Sequence, residues 1–166
     1  MTPQEYNKCV TLYSDRVYRF IKKNLKDELT AEDVMQNSFE ILWRKRDEVA
    51  FETAKAYLFK VAYHNMIDQI RKTKREVALE EVHCETYGYE DEGYTGRMQL
   101  LEKGLALLPE AQRSVVMLRD YEGYSYDEIG TITGLNSSQV KVYIFRARKY
   151  LKDFFFKMEG INENQL

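Results

Sequence analysis

The 166-residue chain is predicted to be all-α, with two small helical domains joined by an acidic linker and a helix-turn-helix in the second. Three observations carry that expectation. Apolar residues recur at three- and four-residue spacing over most of the length, and only two prolines and eight glycines interrupt it. Charge is partitioned beneath a net of −2: residues 1–75 hold 15 Lys/Arg against 11 Asp/Glu, residues 76–96 hold seven acidic and no basic residues, and residues 97–166 hold 10 against nine. Two mildly basic blocks therefore flank an acidic one, which removes the objection that a net-negative chain would avoid nucleic acid. The third observation is residues 124–149, which read as helix, tight turn, helix. Their spacing of Gly130, Gly134 and Val140 supplies a small residue, a turn residue and a branched apolar lock.

In the first block, Tyr6, Val10, Tyr13, Val17, Phe20 and Ile21 give residues 5–25 a helical apolar face. Thr30 is expected to cap a second helix, with Asp33 three residues on, continuing through Val34, Phe39, Leu42 and Trp43. Residues 45–53 are polar and irregular, a loop by composition. A third helix is expected over residues 54–74. Leu58, Phe59, Ala62, Tyr63, Met66, Ile67 and Ile70 lie on its inner arc, and Lys60, His64, Asp68, Arg71 and Lys72 on its outer one.

Residues 76–96 carry Gly88, Gly93 and Gly96 with little periodicity and form the expected linker, interrupted by His83, Tyr87, Tyr89 and Tyr94. On charge alone this is a solvated, self-repelling spacer that keeps the domains apart. The second block, residues 97–166, opens with a helix containing Leu100, Leu101, Leu105 and Leu108 that ends near Pro109. Another containing Val115, Val116 and Leu118 ends before Gly123. Ser125 and Glu128 form a capping-box pattern for the first helix of the helix-turn-helix, and Gly134 ends it. Asn136 or Ser137 caps the second, whose core stripe is Val140, Ile144, Ala147 and Leu151. The tail from Gly160 is expected to fray.

Several classes are excluded. No apolar run approaches the roughly 20 residues of a membrane span, so direct membrane insertion is not expected. Residues 1–10 lack the apolar core of a signal peptide, and Cys9 and Cys84 make no disulfide framework, so a cytoplasmic protein is expected. Cys9, His64, His83 and Cys84 have no metal-ligand spacing. No glycine-rich phosphate loop, nucleophile elbow or HExxH-like pair is present, so no catalytic residue, cofactor or metal is expected.

Three segments carry a resemblance. AEDVMQNSFEILWR (residues 31–44) resembles the most diagnostic segment of bacterial RNA polymerase sigma factors. LPEAQRSVVMLR (108–119) and RARKYL (146–151) resemble their last domain. A short chain with only the second and fourth regions resembles the extracytoplasmic-function subfamily. The resemblance implies a factor that binds core RNA polymerase and promoter DNA, held inactive by an anti-sigma factor.

It also implies roles for particular positions. Asp33, Gln36, Asn37, Glu40 and Trp43 would dock on the polymerase, the first four at i, i+3, i+4 and i+7 forming one polar stripe. Phe51, Tyr57, Lys60, His64 and Arg71 would capture an unstacked base and the backbone of the minus-ten element. Ser137, Ser138, Gln139, Lys141, Val142 and Tyr143 would enter the major groove at the minus-thirty-five element, with Arg146 and Lys149 on phosphates. Val142 and Tyr143 replace the small-then-Arg pair of many relatives, favouring apolar and hydroxyl contacts over guanine readout. The linker, by resemblance, would thread the polymerase's RNA channel. Two other readings remain open: a stand-alone helix-turn-helix regulator, and an interaction module that reads no DNA.

Overall fold

The computed structural model describes residues 1–79 and 96–160. The described residues form seven α-helices and one π-helical turn, with no strand. Helices α1 (Pro3–Leu25), α2 (Glu28–Arg44) and α3 (Phe51–Leu79) make the first half. The second contains α4 (Gly96–Leu107), α5 (Glu110–Val116), a π turn (Met117–Tyr121), α6 (Tyr126–Thr133) and α7 (Ser137–Glu159).

Capping explains the boundaries. Thr2 and Glu5 close a capping box that starts α1 with Pro3 at its first position. The expected Thr30 cap is corrected: Asp27 caps α2, and Thr30 donates both its N–H (3.0 Å) and its hydroxyl to that carboxylate. These bonds favour the ionised form and hold the Asp27 carboxyl below its ordinary range. A residue one turn earlier thus takes the cap, because Leu29 and Thr30 are already helical. The α2–α3 connection is shorter than residues 45–53. It turns through bonds from Glu48 N–H (2.9 Å) and Val49 N–H (3.1 Å) to the Lys45 carbonyl, and buries Val49. Phe51 therefore opens α3 rather than closing a loop. Helix α3 also runs past its expected end at residue 74, through residues 76–79 of the stretch expected to be linker. The rest of that acidic stretch, residues 80–95 with His83, Cys84, Tyr87, Tyr89 and Tyr94, lies outside the described residues, as does the tail 161–166.

In the second half, Ser125 and Glu128 form the expected box and Asn136 with Gln139 forms another, so the alternative cap Ser137 is the first helical residue. Gly134 ends α6 at φ 78°, where a Cβ would be strained. Gly130 is small for a specific reason: a Cβ there would lie 3.0 Å from the Leu135 carbonyl oxygen of the turn. Gly104 lets α4 approach α7, a Cβ standing 2.9 Å from Leu151 Cδ2.

Phe20, Ile21, Leu42, Leu58, Phe59 and Met66 of the first half and Leu118, Ile129, Ile132 and Ile144 of the second belong to one continuous core, beside which Leu105, Leu108, Val116 and Ala147 form a smaller one. The halves are not held apart. Helix α3 packs on α6, and α1 on α4 and α5. Phe20, Phe59 and Tyr124 make an edge-to-face chain across the seam, with centroids 5.6 and 5.7 Å apart. Each such pair contributes about 1 kcal/mol beyond its burial.

Candidate functional site

Three surfaces carry the candidate residues. The first is an open groove between α1 and α2, lined by Tyr6, Val10, Met35, Phe39 and Trp43 with Gln36 and Glu40 on its rim. The Tyr6 hydroxyl donates to the Phe39 carbonyl (3.1 Å), which ties the helices together beneath it. Trp43 is 38% exposed, its ring held between the edge of Tyr6 (4.9 Å) and the Arg46 guanidinium (4.2 Å). Asp33, Gln36, Asn37 and Glu40 are all exposed on this side of α2. Two of them already have partners: Glu40 pairs with Arg44, and Asn37 accepts from Asn65 Nδ2 at 3.1 Å. Gln36 and Asp33 carry the free polar character of the stripe, beside an apolar floor. That combination suits a partner helix presenting both cations and apolar side chains.

The second surface is the outer face of α3. Tyr57, Lys60, His64 and Arg71 fall at i, i+3, i+7 and i+14, with Lys60, His64 and Arg71 exposed. Phe51 and Tyr57 are half-buried, packed against the core on one side and accessible on the other. Burial is therefore partial. The His64 ring stands edge-on to Tyr63 at 5.6 Å.

The third surface is α7. Val140, Ile144 and Ala147 are buried, which turns Ser138, Val142, Arg146 and Lys149 outward. Ser137, Gln139 and Lys141 are also exposed. Tyr143 is half-buried and packed against the core, because it lies one position from Ile144 on the flank of the stripe. Gln139 is partly committed: its Oε1 accepts the Asn136 N–H at 3.0 Å in the capping box. Two residues were missed. Phe145 is 68% exposed, three residues after Val142 (42% exposed), so the outward face carries an apolar pair rather than a lone valine. Its position seven residues after Ser138 already placed it there. Arg119 lines the cleft between the N-termini of α6 and α7 with Ser125, Ser137 and Lys141. Its guanidinium donates to the Tyr124 carbonyl (2.8 Å) and lies 5.0 Å over Tyr126. Nothing local in the sequence signals that.

No described helix is long and apolar enough to cross a membrane. Among the described residues, no group of three His, Cys, Asp or Glu side chains could hold a metal ion. Cys9 is buried, and its burial, with Glu5 nearby, pushes the thiol upward.

An all-helical chain with a capped helix-turn-helix in one half and a cationic, aromatic-flanked helix in the other is a DNA-binding transcription factor by architecture. Comparison with known proteins makes this specific. The family models described as Sigma-70 region 2 and Sigma-70 region 4 match residues 9–76 and 98–151. The chain belongs to the sigma-70 family, in its extracytoplasmic-function group. The ECF RNA polymerase sigma factor SigE of Mycolicibacterium smegmatis is 29% identical over 159 residues; the match spans 92% of this chain but 62% of that protein. SigV and SigM of Bacillus subtilis are each 28% identical, the matches spanning 87% and 92% of this chain and 87% and 94% of theirs. Among solved structures, the sigma factor RpoE in complex with the anti-sigma factor NepR from Bartonella quintana aligns with a TM-score of 0.79 at 24% identity, over 92% of this chain and 97% of that one. CnrH, in complex with the cytosolic domain of CnrY, aligns at 0.64 and 21% identity, over 90% and 86%.

Proposed function

We propose that this sigma factor binds core RNA polymerase through the α1–α2 groove and directs promoter-specific initiation with two DNA-reading surfaces. The first half, residues 1–79, reads and opens the minus-ten element with the outer face of α3. Lys60, His64 and Arg71 meet backbone, and Phe51 and Tyr57 offer rings to an unstacked base. The second half, residues 96–160, sets α7 in the major groove at the minus-thirty-five element, with Arg146 and Lys149 on phosphates. The factor acts in the cytoplasm and is not an enzyme; it lends specificity to the polymerase's chemistry. An anti-sigma partner covers it when it is not in use. The single observation that carries this reading is the match of two different sigma-70 regions, in order, to the two halves that bear these surfaces.

Reconstitution tests it. Core polymerase plus this chain is expected to initiate at a matched promoter that core alone ignores. Gln36→Ala with Glu40→Ala should weaken core binding about tenfold or more, with helicity unchanged by circular dichroism. Sequence-specific DNA binding by the free chain, with no initiation when core is added, would instead identify a stand-alone regulator.

A further inference from the structure

Arg119 and Asp120 are neighbours in sequence, yet they hold two different helices of the second half. The π turn makes this possible. The Glu122 N–H donates to the Met117 carbonyl at 3.2 Å, closing a turn one residue wider than an α-helical one. Met117 and Leu118 bury themselves and fix the turn to the core, and the two charged residues that follow part company. Arg119 goes to the start of α6, over the Tyr126 ring. Asp120 goes to the middle of α7, where Arg148 grips it with a two-bond fork: Nη2 donates to Oδ1 at 2.6 Å and Nε to Oδ2 at 3.1 Å.

The side chains of Arg148 and Asp120 are 49% and 41% exposed, and an ion pair so exposed adds little to stability. What it decides is where a cation goes. Val140, Ile144 and Ala147 are buried, so Lys141, Phe145 and Arg148, at i, i+4 and i+7, form one exposed row along the flank of α7. That row begins in the cleft between the N-termini of α6 and α7, which Lys141 lines. Four cations stand between residues 141 and 149, and among the described residues Arg148 is the one held in an ion pair. The carboxylate occupies the same guanidinium fork that a phosphate would take.

We propose that Asp120 withholds Arg148 from the DNA backbone, so that α7 grips phosphate with fewer cations and depends more on its base contacts at the minus-thirty-five element. The inference rests on the placement of α7 in the major groove proposed above. A guanidinium on phosphate binds every sequence alike. Each one added lifts sequence-independent binding, and one withheld keeps that floor low.

The test uses core polymerase with the full chain. Competition binding is read on a matched promoter and on one whose minus-thirty-five element is scrambled, at several salt concentrations. Asp120→Asn should steepen the salt slope by about 0.9, the value for one added phosphate contact on duplex DNA, and tighten binding to both promoters roughly fivefold. Asp153→Asn, the same charge change at an exposed position on α7, controls for the general gain in positive charge. Asp120→Asn with Arg148→Gln removes the pair without changing net charge, and should keep the slope of the unmodified chain. A slope shallower by about one in that double variant puts Arg148 on phosphate already and overturns the proposal. So does an Asp120→Asn gain no larger than the control's. Should Asp120→Asn lose helicity, the double variant, which leaves neither charge unpaired, answers the same question. Initiation by the unmodified chain at the matched promoter, run in parallel, separates this from the functional reading: its absence sinks the sigma role, while the slopes decide what Asp120 does.

Discussion

Arg113 shows how much one side chain can hold. It is 7% exposed, yet its guanidinium donates to the carbonyls of Leu105 (2.7 Å), Ala106 (3.1 Å) and Leu108 (2.6 Å) and to Asn24 Oδ1 of α1 (3.2 Å). It satisfies the last carbonyls of α4 and places a cation at that helix's negative end. Arg113→Ala leaves several buried acceptors unpaired, and we expect a loss of about 2–4 kcal/mol in urea denaturation. Phe145 acts at the same scale but outward. Phe145→Ala should relax discrimination at one base of the minus-thirty-five element with the salt dependence unchanged, whereas Lys149→Ala should weaken binding to all sequences and lower the salt slope by about one. Competition binding of the holoenzyme at several salt concentrations separates the two. Gln139 has a narrower repertoire than its type suggests. With its oxygen engaged in the cap, its NH₂ is the freer group, so in the proposed major-groove placement it is expected to favour acceptor edges over the bidentate adenine pairing.

At the scale of elements, the second half folds around its turn. Gly134 alone of that turn has positive φ, and a Cβ would meet no neighbour, so the cost of Gly134→Ala is purely conformational. We expect about 1 kcal/mol, read as a Tm lower by about 2–4 °C in calorimetry. This part was legible because its signals are local: Ser125–Glu128, Gly134 and Asn136–Gln139 each act within three or four residues. The start of α2 was read one turn late because Asp27 and Thr30 are both good caps, and only their mutual bonds decide between them. The half-burial of Phe51 and Tyr143 was not legible for a related reason, since it depends on what packs alongside. The polar stripe of α2 and the outer face of α3 followed from helical spacing, whereas the groove around Trp43 needs α1 beside α2 and did not. Nor did the seam, because Arg16 and Glu122, which pair across it, are more than a hundred residues apart and nothing in either neighbourhood announces the other.

At the scale of the whole molecule, the seam and core predict an alkaline limit. Burial pushes the Tyr63 phenol up to about 12, with the Glu110 carboxylate adding to it and Arg71 opposing. Burial raises Tyr124 as well, with Glu122 contributing. A phenol harder to ionise folded than unfolded gives stability that is complete below its unfolded value near ~10 and is lost as pH rises through its folded value. Tm should therefore be level up to about pH 9.5 and fall above it, Tyr63 alone accounting for on the order of 2 kcal/mol. Absorbance at 295 nm should show these two tyrosines ionising only with unfolding.

The groove between α1 and α2 has one more consequence. Trp43 is the chain's single tryptophan, and it sits there part-exposed against a guanidinium. The intrinsic indole emission of the unlabelled protein is thus a report from one place. A ligand that covers the groove shifts that emission to the blue, while events at α7 leave it where it was.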